Sequence, residues 1–325
     1  MNRKKIVSTL IFGLLTVFCS FPIAHADVSK TLGPTGLGPV GIVVDSDGNI
    51  YTANFFENTV SKITEDGIST KYASVGAGPQ DIAIDRIGNV YTANFFDGNV
   101  SKITPKGKSS ILGTTGVHPF GITVDSAGNV YTSNIDDNSV TKITAKGVSS
   151  ILGSTGTHPF GIAVDSAGNI FTANMDSNNV TKITSNGISS IFGTTGNAPL
   201  AIVIDSKGNI FTSNTGSNNV SKLSPDGNAR IFGATGSVPK GITVDCAGNI
   251  YTTSVNDNNV SVISSSGRTA ILGLAGNTPY QIIYSKNFVY TTNFLGNNVS
   301  KIKTVAAANR TCSDTDDDRS LSHNR

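Results

Sequence analysis

Apolar and polar residues alternate along most of this chain in runs of five or six, and Gly, Asn, Asp and Ser separate the runs. The stretch Pro119 to Gly153, PFGITVDSAGNVYTSNIDDNSVTKITAKGVSSILG, shows the pattern in full. Val, Ile, Thr and Tyr alternating with small polar residues suit pleated strands with one buried face. No apolar spacing of three and four residues competes with that period. Four strands are predicted: Gly121–Asp125, Asn129–Asn134, Ser139–Thr144 and Val148–Gly153. DSAGN and AKG form the first and last turns.

The unit returns with a marking proline at Pro39, Pro79, Pro119, Pro159, Pro199, Pro239 and Pro279, a period of 40 residues. Four strands per repeat of that length point to a β-propeller, and seven copies predict seven blades. The ends of the array argue for a closed ring. The last copy stops at Lys301-Ile302-Lys303-Thr304 without its fourth strand, and Ser29–Pro39 (SKTLGPTGLGP) matches Ser109–Pro119 (SSILGTTGVHP) position by position. An open solenoid would need atypical polar caps instead. The expected fold is all-β: a seven-bladed β-propeller of 40-residue four-stranded repeats, its last blade closed by the N-terminal strand.

Both ends of the chain depart from the pattern. Residues 1–26 carry the basic run Arg3-Lys4-Lys5, the apolar run Ile6–Val17 and the small-x-small site Ala24-His25-Ala26. That order is expected of a secretory signal peptide, and the apolar run is too short for a membrane span. Phe18 precedes Cys19 where a lipid-attachment site needs a small residue, which favours simple cleavage. The expected mature protein starts near Asp27, has its propeller in residues 27–304, and is extracytoplasmic (periplasmic or secreted), with no membrane insertion after cleavage. Residues 305–325 lose the alternation and are expected to be a disordered polar tail. Its Asp314-x-Asp316-x-Asp318 spacing resembles the start of a calcium loop, but Arg319 and Arg325 stand where such a loop needs Gly and Glu.

The formal net charge is +2, and it falls to near zero across residues 27–304 once the leader and tail are set aside. Phosphate backbones need clustered Lys and Arg, so nucleic acid is not an expected partner. The chain has no GxSxG elbow, no phosphate-binding glycine loop and no His/Cys cluster at zinc spacing. Cleavage leaves Cys246 and Cys312. Both are expected on one face of the ring, and the eight residues from the last strand to Cys312 span roughly 26 Å when extended. A disulfide between them is geometrically allowed in an oxidising compartment; two free thiols are the alternative.

The seven copies serve as one another's controls. The Asp of the first turn (Asp45, Asp85, Asp125, Asp165, Asp205, Asp245) and the Asn closing the second strand (Asn54, Asn94, Asn134, Asn174, Asn214, Asn293) each recur six times. Residues so regular are expected to serve the turn and the loop. Departures from the repeat on one face are the functional candidates. Two positions after the ring Asn stand Phe56, Phe96 and Leu295, in blades that become neighbours on closure, against Asp136, Asp176, Gly216 and Asn256 elsewhere. An apolar sector facing a polar one suits an amphipathic ligand; the alternative is that these side chains fold over their own blades. Two positions after the marking proline, Asp81 and Gln281 break a series of Gly and Ala and should rim the central channel, beside Gln80, Lys240 and Tyr280. His118 and His158 precede two of the prolines, and His suits proton transfer near neutral pH.

Pro159–Ile183, PFGIAVDSAGNIFTANMDSNNVTKI, resembles the NHL repeat, whose pattern is Pro-x-Gly-Ile-Ala-Val-Asp, Gly-Asn-Ile-Tyr-Val and then Asn-x-x-Ile. Tyr51–Ile63, YTANFFENTVSKI, is similar to the YVTN surface-layer repeat. The resemblance spans residues 29–304 and implies a propeller of a kind that includes sensors, protein-binding modules and some enzymes. The chain is also similar in architecture to the streptogramin (virginiamycin B) lyase family. Those seven-bladed propellers open a cyclic depsipeptide by elimination, with a His base and a magnesium ion near acidic residues. That family's blades commonly read Trp-Phe-Thr-Glu where this chain reads Tyr-Thr-Ala-Asn or Phe-Thr-Ser-Asn, and this chain has no Trp.

These readings predict an exported, monomeric propeller that recognises a small molecule, peptide or protein at its top-face funnel through Phe56, Phe96, Leu295, Tyr280, Asp81, Gln281 and Lys240. No cofactor or metal belongs to that expectation. The alternative is a metal-assisted lyase or hydrolase with His118 or His158 as base, working with Asp81, Asp136 or Asp176. Magnesium or calcium enters only with that alternative.

Overall fold

A computed structural model describes residues 29–304. The leader, the tail with Cys312, and the Asp314–Asp318 segment lie outside the described residues. Among the described residues every regular element is a β-strand, and turn chemistry sets their ends. In the first hairpin Asp45 Oδ1 accepts the backbone N–H groups of Asp47 (3.0 Å) and Asn49 (2.8 Å). Asp45 Oδ2 accepts from Asn49 Nδ2 (2.8 Å) and the Tyr51 hydroxyl (3.0 Å). Gly48 closes the turn at φ 88°, a left-handed conformation that a side chain would strain. The recurring Asp is thus occupied by its own turn.

The strands form seven four-stranded antiparallel sheets. Blade one runs outward from the channel as Pro39–Val44, Ile50–Asn54, Thr59–Ile63 and Ser69–Ser74. Blades two to six repeat it, with innermost strands Pro79–Ile84, Pro119–Val124, Pro159–Val164, Pro199–Ile204 and Pro239–Val244. Blade seven is composite. It contains Pro279–Ser285, Phe288–Asn293 and Asn298–Lys303, and its fourth strand is Lys30–Pro34 from the N-terminal side. Lys30 stands opposite Lys301 and Pro34 opposite Asn298. Across the seam Gly38 N–H donates to Asn297 Oδ1 (2.9 Å) and the Thr292 hydroxyl to the Val40 carbonyl (2.8 Å). The expected closure of the ring is therefore observed.

The core lies between blades rather than within them. Val43, Tyr51 and Val60 of blade one meet Ile82, Ile84, Val90 and Ile103 of blade two, and burying each such side chain contributes about 1.5–3 kcal/mol. Hydroxyls on second strands join neighbouring blades. Ser133 donates to the Phe160 carbonyl (2.6 Å), Ser213 to that of Lys240 (2.7 Å) and Thr253 to that of Tyr280 (2.9 Å). Lys62, Lys102 and Lys142 lay their chains along Tyr51, Tyr91 and Tyr131, with ammonium groups 5.4, 5.6 and 5.6 Å from the ring centres; the stems cover rings at the blade face. Cys246 is disulfide-bonded, and Cys312, the partner expected from the sequence, lies outside the described residues.

Candidate functional site

The innermost strands bring their first residues together at the channel mouth. Small residues are required there because the blades converge. A Cβ at Gly121 would stand 2.5 Å from the Phe160 carbonyl oxygen. Asp81 and Gln281, the two departures from that rule, both line a cavity of about 30 Å³ together with Lys240, Tyr280, Phe120 and Phe160. Asp81 is buried. Its Oδ1 accepts the N–H of Ile82 (2.9 Å) and its Oδ2 that of Ile122 in the next blade (3.2 Å). Burial outweighs those two donors and pushes the carboxyl up to about 7.

Across the cavity the Lys240 ammonium sits 3.9 Å from the centre of the Tyr280 ring. Desolvation lowers the Lys240 pKa. Burial, with a smaller contribution from the charge of Asp81, pushes the Tyr280 hydroxyl up to about 12. The side-chain carbonyls of Gln281 and Gln80 are buried without a hydrogen-bond partner. The structure thus brings four of the expected residues, Asp81, Lys240, Tyr280 and Gln281, to one cavity.

The top face is built from the loops that follow the ring Asn. That Asn is structural. In blade three Asn134 Nδ2 donates to Ser139 (3.0 Å) and Thr141 (2.9 Å), and its Oδ1 accepts from Thr132 (3.1 Å). Phe56, Phe96 and Leu295 are 62, 63 and 61% exposed; Phe56 and Phe96 rest on the loops of their own blades and leave their outer faces to solvent. Phe56 and Phe96 belong to an aromatic arc. Tyr280 touches Phe294 (centroids 5.9 Å apart), Phe294 touches Phe56 (5.5 Å), Phe56 touches Phe55 (5.2 Å) and Phe55 touches Phe96 (5.6 Å). Phe96 then meets Phe95 (5.2 Å), which stacks on His118 at 4.3 Å with ring planes 6° apart. The arc begins at the channel cavity and ends at a histidine.

His118 and His158 are each gripped by a carboxylate. His118 Nδ1 lies 2.6 Å from Asp136 Oδ2, and His158 Nδ1 lies 2.6 Å from Asp176 Oδ2. Both pairs are solvent-exposed, and Nε2 of each ring makes no hydrogen bond among the described residues. Both histidines hold left-handed backbone, φ 54° and 51°. The equivalent positions in blades one and two are Gly38 and Gly78, and there Phe56 and Phe96 cover the backbone, leaving 2.5 Å between each ring and an added Cβ. In blades one to four the two loop positions are therefore matched, Gly with a covering Phe or His with a gripping Asp; blades five to seven carry Ala198, Val238 and Thr278 at the first position. The expected pairing of histidine with Asp136 or Asp176 is present, whereas Asp81 sits apart in the channel. A cleft of about 400 Å³ beside His118 is bounded by Phe95, Phe96, Asp97 and Asp137.

The carboxylates of this face are engaged one at a time. Asp97 accepts the Ala77 N–H and Asp137 the Val117 N–H. Among the described residues no group of three or more His, Cys, Asp or Glu side chains is arranged to hold a metal ion. The sequence reading missed Phe294, Phe95 and the channel walls Phe120 and Phe160. The signal was available at each repeat position. Phe55, Phe95 and Phe294 follow the ring Asn directly, and Phe120 and Phe160 occupy the place of Lys240 and Tyr280.

The virginiamycin B lyase family pattern matches residues 76–311. Among solved structures the chain is similar to a streptogramin B lyase at 18% identity and TM-score 0.76, over 85% of this chain and 96% of that one. It is similar to a catalytically inactive His-to-Ala variant of virginiamycin B lyase from Staphylococcus aureus with quinupristin at 19% identity and TM-score 0.76, over 85% and 98% of the two chains. It also resembles hydrazine synthase from Kuenenia stuttgartiensis at 17% identity and TM-score 0.70, over 82% and 96%. At such identities the likeness to these structures concerns the fold. No curated protein sequence matches the chain.

Proposed function

Because the chain belongs to the virginiamycin B lyase family, we propose that it is an exported propeller that binds an amphipathic small molecule across its top face. The ligand's apolar part lies on the arc from Phe294 to Phe95, and its polar part reaches the channel mouth at Asp81, Lys240 and Tyr280. The observation that carries this reading is the continuity of exposed aromatic surface with a cavity holding a few convergent polar groups. Ligand sites have that composition, and an unliganded surface has little use for it.

A second reading rests on the His–Asp pairs. A carboxylate on Nδ1 fixes the imidazole and leaves Nε2 to take a proton from a bound substrate, which is how a general base is held. The magnesium associated with the lyases requires several oxygen ligands. The described residues do not fit it: Asp136 and Asp176 each face a histidine, the ring position is Asn or Ser254, and no third donor joins them. The chemistry of this second reading is therefore confined to proton transfer at the histidine rings.

The test uses quinupristin as the probe, in calorimetry and in mass spectrometry of the recovered compound. Saturable binding of the unchanged compound, weakened about tenfold by Phe56→Ala with Phe96→Ala, supports the binding reading; the loss of two buried aromatic contacts is of that order. A ring-opened product that disappears in His118→Ala or His158→Ala favours the second reading. Absence of binding, or binding indifferent to the two Phe substitutions, overturns the top-face assignment.

A further inference from the structure

The channel cavity contains an electrostatic anomaly. Lys240 is half-buried and desolvation lowers its pKa, yet the ion pairs among the described residues are the two His–Asp pairs of the top face. Its ammonium makes no hydrogen bond to a described residue and rests on the Tyr280 ring. A π face compensates an ammonium only in part, and a partly desolvated charge without a counter-ion is costly. The Tyr280 hydroxyl has no described partner either, although it lines the same cavity. Around it the walls are apolar: Phe120, Phe160 and Leu200.

Resting on the binding reading above, we propose that this cavity is a carboxylate-binding site, in which a ligand carboxylate docks on Lys240 between Phe120, Phe160 and Leu200 while the ligand's apolar part lies outside the cavity on the aromatic arc. The size argues for a compact planar group. A cavity of about 30 Å³ admits roughly two water-sized groups, since about 10–15 Å³ holds one. Lys240 and Tyr280 supply donors. The Gln281 amide, whose carbonyl oxygen is orphaned, supplies two more after a half-turn about its last torsion. Asp81 is the third titratable group in the cavity, beside Lys240 and Tyr280. Held near pH 7 by burial, it is neutral below that pH and repels an incoming anion above it.

The experiment titrates the full chain with 3-phenylpropionate, its primary amide and inorganic phosphate at pH 6 and pH 8. The carboxylate is expected to bind and the amide not to. Affinity should fall about tenfold from pH 6 to pH 8, in proportion to the fraction of Asp81 that stays protonated. Lys240→Met should abolish binding. Tyr280→Phe, which removes one hydroxyl and keeps the ring, should weaken it about tenfold, the loss expected for a hydrogen bond to a charged group. Asp81→Asn should bind equally at both pH values.

Equal binding of the amide and the acid overturns the carboxylate assignment while leaving the top-face site intact. Phosphate binding tighter than the carboxylate overturns it in favour of a tetrahedral anion. No binding of any of the three, with quinupristin still bound, refutes this inference alone; loss of quinupristin binding as well removes both readings.

Discussion

Replacing Asp81 by Asn isolates the energetic consequence of the buried acid in the channel. In the folded state its carboxyl moves from the ordinary 3.8 up to about 7, so the folded protein holds this proton more tightly than the unfolded chain. At about 1.36 kcal/mol per tenfold change, the full difference is about 4 kcal/mol. Stability from this group is fully present below about pH 4, is lost as the pH rises toward 7, and is flat above that. Roughly 3 kcal/mol of the loss falls between pH 5 and pH 8 by the same linkage. The substituted amide cannot titrate. It keeps an acceptor for the Ile82 N–H and loses the one for Ile122, a cost that is the same at every pH.

The comparison of differences therefore cancels the lost hydrogen bond. Urea unfolding, followed by far-UV circular dichroism because the chain lacks Trp, should be measured at pH 5, 6, 7 and 8 for both proteins. The native protein should lose about 3 kcal/mol more than Asp81→Asn across that range. Parallel curves would show that Asp81 titrates as an ordinary exposed carboxyl, and the argument from burial would be wrong.

Three other perturbations test how the scaffold holds the site. Asn134→Ala removes a buried amide with three hydrogen bonds and should cost about 2–4 kcal/mol in the same assay, since Thr132, Ser139 and Thr141 lose their shared partner. Deleting residues 29–34 takes away the fourth strand of blade seven; the unfolding midpoint should drop, and light scattering should reveal association through the bared edge of Asn298–Lys303. Gly121→Val forces a side chain against the Phe160 carbonyl, 2.5 Å from the Cβ, and should destabilise by about 1–3 kcal/mol; an unchanged midpoint would mean the blades are free to spread at the channel mouth.

The relation between histidine and aspartate shows how far the repeats could be read unaided. Gly38 with Phe56, Gly78 with Phe96, His118 with Asp136 and His158 with Asp176 form a series visible in the sequence. The two positions are 18 residues apart in these four blades, and the structure shows the match: a Phe ring covers the left-handed glycine, or an Asp carboxylate grips the histidine ring. Single-position comparison found each member but not the coupling. The aromatic arc was legible only in part for the same reason. Phe55, Phe95 and Phe294 directly follow the ring Asn in the sequence, and only the structure shows that they bridge the exposed phenylalanines of neighbouring loops.

The chain's local chemistry determined the strands, the turns and the ring. Alternation fixes which face of each strand is buried, Asp and Gly fix the turns, and a 40-residue period with a displaced fourth strand leaves closure as the arrangement that pairs Lys30–Pro34 with Asn298–Lys303. These are contacts between neighbours in sequence or in the repeat, so the repeat encodes them. The channel mouth was decided by the tertiary structure. Asp81, Lys240 and Tyr280 come from blades two, six and seven, and no local pattern specifies how much water their convergence excludes. Burial alone raises the Asp81 carboxyl, lowers the Lys240 ammonium and orphans the Gln281 carbonyl, because the energy of a charge depends on the medium that the whole ring assembles around it.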